Sequence, residues 1–336
     1  MQNLPRRWLY LFVLLLIALS TFVSMAIWQI RNEFFINTYT QHARRIVLVP
    51  GANGRSLITI LKDAQLIQSP RYLALLFRWY RISPQLKAGT YLLSPGDTIW
   101  SLITKMISSK VLMQQFTIVE GMRLCELVNS WRQSSDFIFN VEQLEKLKDN
   151  QTSLEGLFFA SSYHYPVGGD ILPTLRLAKQ ALKLHLQNIW QERDPDLPYQ
   201  NPYELLIAAS IIEKETADDH ERHLISGVIV NRLRLHMPLQ MDPIVAYGLP
   251  GCRHVILKAA DIKLNSAYNS YRHYGLPPSP IAMVGLSSLL AAAHPSASAY
   301  LYFVAKGDGH HYFSKDYRHQ MNAINHYLRK QHAEPG

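Results

Sequence analysis

Cysteine is nearly absent from this chain of 336 residues, with only Cys125 and Cys252. Two thiols are too few for a disulfide scaffold or a four-thiolate zinc site. They could pair in an oxidising compartment or stay free, and the sequence leaves both open. Charged residues make up 18% against 48% apolar, which excludes a disordered chain. Gly at 16 and Pro at 18 exclude a collagenous or low-complexity protein. No block of five or six Lys/Arg occurs, and no nucleic-acid motif is visible, so nucleic acid is not an expected partner. No G-x-S-x-G elbow or phosphate-cradling glycine loop appears. The fourteen histidines form no metal motif. His220-Glu221-Arg222-His223 is one residue short of H-E-x-x-H, and His310-His311 would point opposite ways in a strand. Neither a metal nor a cofactor is expected.

One long apolar run is present. Residues 8–28, WLYLFVLLLIALSTFVSMAIW, carry no charge. As a helix they extend about 32 Å, enough to cross a bilayer core. Trp8, Tyr10 and Trp28 stand near the ends, where aromatic rings favour the membrane interface. A cleaved signal peptide is the competing reading, since Ser24 and Ala26 have A-x-A spacing, but the run is long for that role. The expectation is a single uncleaved anchor. Arg6 and Arg7 precede it and Arg31, Arg44 and Arg45 follow, so charge alone nearly ties on orientation. A short tail, residues 1–7, is expected inside, with the bulk of the chain outside. The net charge is +9, and leaving out Arg6 and Arg7 makes it +7. Such a surface suits an anionic membrane or an acidic polymer such as cell-wall peptide carboxylates.

After a connector at 29–45, a strand–glycine turn–helix pattern recurs three times, around Gly51, Gly96 and Gly121. An extra helix at 70–80 lies between the first two copies. The segment PGDTIWSLITKM, 95–106, resembles the opening of a LysM carbohydrate-binding module. A LysM-like glycan-binding subdomain is therefore expected over 46–130. Residues 130–150 are polar and read as a boundary, and a second, helix-rich domain is expected over 152–330. Its helices are expected at 173–193, 202–215, 221–236 and 287–293, and its strands at 301–305 and 311–314. The fold class is α+β.

The helix at 202–215 is apolar on almost every face and runs into Glu213-Lys214-Glu215-Thr216. Asn201 can cap it, and Pro202 suits its first turn. Two positions apart, Glu213 and Glu215 lie about 200° apart around the axis, so at most one enters a given cleft. Periodicity does not say which. Polar-aromatic clusters follow: Gln240-Met241-Asp242-Pro243 with Tyr247, then Tyr268-Asn269-Ser270-Tyr271, then GLPP at 275–278. Tyr rings stack on sugar faces, and amides bond sugar hydroxyls.

Taken together, ASIIEKET at 209–216, Val230-Asn231-Arg232-Leu233, LQMDP with YG, AYNSY, GLPPSPI, AAAHP and YLYFV resemble the endolytic murein transglycosylases, the YceG-like proteins. The resemblance covers nearly the whole chain in order. It implies a lyase that cuts the β-1,4 bond between N-acetylmuramic acid and N-acetylglucosamine and leaves 1,6-anhydro ends. It makes Glu215, the second glutamate of E-K-E-T, the catalytic acid. Asn231, Gln240, Asp242, Tyr247, Tyr268, Asn269, Tyr271, Glu155 and Tyr163 become candidates for holding glycan, with Asp242, Glu155 and Glu213 also candidates for a supporting carboxylate. The implied partners are peptidoglycan strands and membrane-bound peptidoglycan synthases, and the implied place is the bacterial inner membrane with the bulk periplasmic. The chain departs from the family after Leu154-Glu155-Gly156-Leu157-Phe158. Relatives usually have Pro-Asp/Glu-Thr-Tyr there, and this chain has Ala160-Ser161-Ser162-Tyr163. If the missing acid matters, activity falls, and the rival is a peptidoglycan-binding scaffold without catalysis. A hydrolase is a further rival.

Overall fold

The computed structural model describes residues 6–38, 41–149, 151–252 and 257–331. Most of the expected tail 1–7, and the C-terminal residues after 331, lie outside the described residues. The fold is mixed α and β, with small two-stranded sheets. Two compact units divide it. One holds Met1–Gln114 and Tyr165–Gly169, and the other holds Gln115–His164 and Asp170–Gly336.

The first unit opens with α1 (Arg6–Arg31), which contains the expected span and is long and apolar enough to cross a membrane. Almost all its large apolar side chains are exposed, as a lipid-facing helix requires. α1 runs directly into a π-helical stretch, Asn32–Ile36. There the chain is pinned. Phe34 is fully buried in the core, and the buried Glu33 carboxylate accepts from the Gln68 and Ser69 N–H groups at 2.6 and 2.8 Å.

β1 (Arg44–Leu48), α2 (Gly54–Asp63), α3 (Pro70–Trp79), β2 (Gly89–Leu93) and α4 (Ile99–Ile107) follow. β1 and β2 pair antiparallel with Ile46 opposite Tyr91. Alternation puts Ile46 and Leu48 inside and leaves Val47 out. The helix starts follow from their caps. Asn53 accepts from the Arg55 and Ser56 N–H groups, and Thr98 accepts from the Ser101 N–H at 3.1 Å. The turn before α4 needs Gly96 at φ +90°, and Asp97 ties it by accepting from the Ser94 N–H and from Lys105.

The chain leaves the first unit within β3 (Met113–Thr117). Next come α5 (Leu124–Gln133), α6 (Val141–Glu145) and β4 (Ser162–Pro166), which pairs with β3. The polar stretch 130–149 thus carries a short helix and belongs to the second unit. Then follow α7 (Leu172–Glu192), α8 (Pro202–Glu215), α9 (Asp219–Arg234), α10 (Asp242–Gly248), α11 (Leu286–Ala293), β5 (Tyr302–Ala305), β6 (His311–Ser314) and α12 (Tyr317–Gln331).

α8 is the centre of this unit. Asn201 caps it through the Glu204 N–H at 3.1 Å, and Pro202 takes its first position. Every residue from Leu205 to Ile212 is buried, because α7, α9, α10 and α11 all pack against it. Ala291, Ala292 and Ala293 of α11 are fully buried, and such small side chains let helices approach closely. β5 and β6 form an antiparallel hairpin that α12 covers. α12 has no counterpart among the expected elements. Its sequence is polar, and it is held by buried Ala323 and by Gln320 donating to the Phe303 carbonyl at 2.9 Å. Cys125 and Cys252 form a disulfide, so the pairing left open by the sequence is made.

Candidate active site

The turn after α8 holds the strongest candidate for chemistry. Thr216 ends the helix in an extended conformation, with its N–H on the Ile212 carbonyl at 3.3 Å. The last helical residue, Glu215, therefore projects from the end of an apolar cylinder. It keeps an open side to solvent, yet protein surrounds it closely enough that burial pushes its carboxyl up to about 8. The charge of Asp242, at the start of α10, pushes the same way. Tyr271 donates its hydroxyl to Asp242 Oδ1 at 2.7 Å, and the charge of Glu215 reaches it as well. Burial raises the Tyr271 hydroxyl further, so it stays a donor at any ordinary pH. Glu215, Asp242 and Tyr271 are thus one cluster: a protonated acid, an exposed carboxylate and a phenol.

Glu213 faces away from that cluster, as its place on the helix requires. Its side chain is only 4% exposed, and its carboxylate accepts from the Gly285 N–H at 3.0 Å and from Arg222 Nη2 at 3.2 Å. Arg222 also holds Asp219 and donates to Ser288 Oγ at 3.2 Å. Both charges are satisfied, so Glu213 is a brace for α8, α9 and α11. Glu120 sits against Gly285 so closely that a Cβ there would strike its carboxyl. Burial raises Glu120 first and the Glu213 charge second. In the sequence Glu120 reads as one polar residue after a strand, with nothing local to mark it.

A second carboxyl cluster stands at the other end of α10. Glu155 is 4% exposed and accepts from the Leu124 N–H at 2.8 Å. Burial raises its carboxyl to about 7, against the pull of that hydrogen bond and of Arg123. The Arg123 guanidinium lies 4.7 Å over the Tyr247 ring, and Tyr247 packs on Tyr268 at 4.8 Å. The Tyr268 hydroxyl meets Ser279 Oγ at 2.8 Å. Asp242 and Tyr247 are five residues apart on α10, a rise of about 8 Å. The two clusters therefore flank one short helix.

Other candidates are committed to the framework. Asn231 gives its amide to the Ser298 and Tyr300 carbonyls at 2.8 and 3.0 Å. Asn269 is buried and gives its amide to Ile262 and Leu264. Gln240 is exposed, with a left-handed backbone (φ 52°), and accepts from Arg232 at 3.2 Å. Tyr163 donates to the Phe159 carbonyl at 2.8 Å and packs on Phe116; burial raises its hydroxyl to about 12. Ala160 is buried and donates its N–H to the Val284 carbonyl, while Ser161 and Ser162 are exposed.

Arg232, within the Val230-Asn231-Arg232-Leu233 motif, has a structural role. It donates to the Leu239, Pro238 and Leu301 carbonyls and so fixes the strap from α9 to Gln240. Two cavities of about 670 and 470 Å³ open elsewhere. The larger is lined by the first turns of α8 and by Gly275–Pro278, so it lies at the opposite end of the helix from Glu215. Asp218 caps α9, and Glu221 does not close a capping box. It accepts instead from the His311 N–H and ring, at 2.7 and 2.6 Å. His310 precedes β6, so both imidazoles turn toward Glu221 and do not diverge as they would in a strand. Donor atoms of Asp218, Glu221 and His310 lie within 4.8 Å of one another, a spacing that could hold an ion, although Glu221 is already engaged by His311.

The sequence profile of the YceG-like family matches residues 46–326. The chain belongs to that family. It is 28% identical over 302 residues to the endolytic murein transglycosylase of Bacillus subtilis (strain 168), covering 83% of each chain. It is 27% identical over 317 residues to the endolytic murein transglycosylase of Streptococcus pneumoniae D39, covering 82% of this chain and 57% of the relative. A crystal structure of a yceG-like protein from Listeria monocytogenes matches with a TM-score of 0.55 at 26% identity, covering 84% of this chain and 99% of that one.

Proposed function

We propose that this YceG-like protein is a membrane-anchored endolytic murein transglycosylase, a lyase that cuts nascent peptidoglycan strands and so ends their elongation. The names of its relatives support the activity. The observation that carries it here is Glu215: a carboxyl kept protonated to about pH 8 at the mouth of a buried helix, beside Asp242 and Tyr271.

The reaction needs one acid. Glu215 gives its proton to the glycosidic oxygen between N-acetylmuramic acid and N-acetylglucosamine, and the C1–O bond breaks. The muramyl 6-hydroxyl oxygen bonds to C1 of its own sugar, and its proton returns to the Glu215 carboxylate. Atoms balance without water, and the acid is regenerated. A hydrolase would need a second carboxylate to activate water or attack C1. Here the nucleophile is tethered, and high effective molarity replaces that activation. Burial, and after it the Asp242 charge, keeps Glu215 protonated, and Asp242 with Tyr271 offers an acceptor and a ring to the sugar. Tyr247 and Tyr268 present a second aromatic surface.

The anchor reading rests on the apolar α1, with the bulk of the chain periplasmic at the inner membrane; the Cys125–Cys252 disulfide suits an oxidising compartment. Glycan binding by the LysM-like segment 95–106 rests on sequence resemblance, and peptidoglycan synthases remain the partners that the family resemblance implies. A binding scaffold is the second reading, favoured by Ala160-Ser161-Ser162 where relatives carry an acid. Digestion of purified murein strands, with the new ends weighed by mass spectrometry, tests these readings. Anhydro ends are expected. Reducing ends would mean a hydrolase, and uncut strands a scaffold.

A further inference from the structure

The first unit leaves an aromatic patch outside its core. Trp79, at the end of α3, is 83% exposed, and Leu75 and Tyr80 are exposed beside it. The patch is continuous with the end of α1. The Phe35 ring stacks 4.8 Å from Trp100, and Trp100 meets Tyr80 at 5.6 Å. Phe35 and Ile36 are themselves exposed.

Both ends of α3 are tied to one short stretch of chain. At its start, Ser69 Oγ accepts from Gln29 Nε2 at 3.0 Å, and the Ser69 N–H donates to Glu33. At its finish, Tyr80 reaches Phe35 through Trp100. α3 is therefore held beside the end of α1. Its exposed residues Arg71, Leu75, Arg78 and Trp79 fall at i, i+4, i+7 and i+8, one face of the helix. Residues 64–96 hold Arg71, Arg78, Arg81 and Lys87 and no Asp or Glu. Aromatic rings and arginines on one face of a short helix are the composition of an interfacial helix on anionic lipid.

We propose that α3, Trp79, Tyr80 and Phe35 form a lipid-contacting surface that lays the first unit on the anionic bilayer crossed by α1. This rests on reading α1 as a membrane anchor. The occupant is lipid because the patch begins where the apolar helix ends, and its charge is all of one sign. The contact fixes the height of the unit above the membrane and restricts its tumbling about the anchor.

The test uses the full chain in vesicles of phosphatidylcholine with phosphatidylglycerol. Nitroxide labels are placed singly at Leu75→Cys, Leu14→Cys and Tyr274→Cys. Tyr274 is an exposed control in the second unit. Collisions with oxygen and with a water-soluble nickel chelate are then compared. Label 75 should be shielded from nickel several-fold relative to label 274, and label 14 more strongly still. Adding Trp79→Glu should raise nickel access at 75 several-fold. Label 75 as open to nickel as label 274, with label 14 in lipid, overturns the proposal alone. So does no response to Trp79→Glu. Label 14 in water overturns the anchor and the proposal with it.

Discussion

The Tyr271 hydroxyl donates to Asp242 Oδ1 at 2.7 Å, and this pair stands within electrostatic reach of Glu215. After burial, the Asp242 charge is the second cause that lifts Glu215 to about 8. A proton-donating Glu215 gives activity that falls as pH rises through that value. Asp242→Asn removes the charge and should move this alkaline limb down by about one pH unit. The profile of kcat/KM for glycan strands checks it. A lower rate with an unmoved limb would restrict Asp242 to holding sugar.

Stability should also decline as pH rises from the carboxylate range to just above neutrality. Glu155 and Glu215 are raised in the folded state, to about 7 and about 8. Their protonated forms favour folding. That contribution is complete below the ordinary carboxylate range, is lost as pH rises from that range up to those two values, and changes no further above them. Glu155→Gln should lessen the loss between the ordinary carboxylate range and neutral pH by about 2–3 kcal/mol. Urea unfolding across that range measures it.

Arg222 and Glu213 form a buried pair, with side chains 8% and 4% exposed. Arg222→Met leaves Glu213 charged and short of a partner, and should cost about 3–5 kcal/mol. Arg222→Met with Glu213→Gln together should recover part of this, since no lone charge then remains. Thermal and urea unfolding of both variants give the comparison.

The Cys125–Cys252 bridge joins residues 127 apart in sequence. Replacing both by Ser should lower stability by about 2–5 kcal/mol. Reduction of the wild type should reproduce the loss, and reductant should leave the Ser variant unchanged.

Much of the helical framework was legible because its signals are local. Asn201-Pro202 marks the start of α8, and the apolar run to Ile212 marks its burial. The spacing of Glu213 and Glu215 required them to part, and they do. Geometry alone did not choose between them; the resemblance to the family did. Other features depend on residues far apart in the chain. Glu221 meets His311 ninety residues away, and Arg232 reaches the Leu301 carbonyl sixty-nine away. Neither leaves a periodic trace. Asn231 and Asn269 show the converse. Their amides suit sugar hydroxyls, but both are used for backbone carbonyls of neighbouring segments. The return of Tyr165–Gly169 to the first unit has no local signal either.

Glu215→Gln is the most direct measurement, because glutamine keeps the size of the side chain and removes the proton it can give. Purified wild-type and variant chains are incubated with the same murein strands, and the released ends are counted by mass spectrometry. The expected result is loss of 1,6-anhydro ends by a factor of about a hundred or more, with strand binding retained. Anhydro ends formed at the wild-type rate by Glu215→Gln would contradict the role given to this residue.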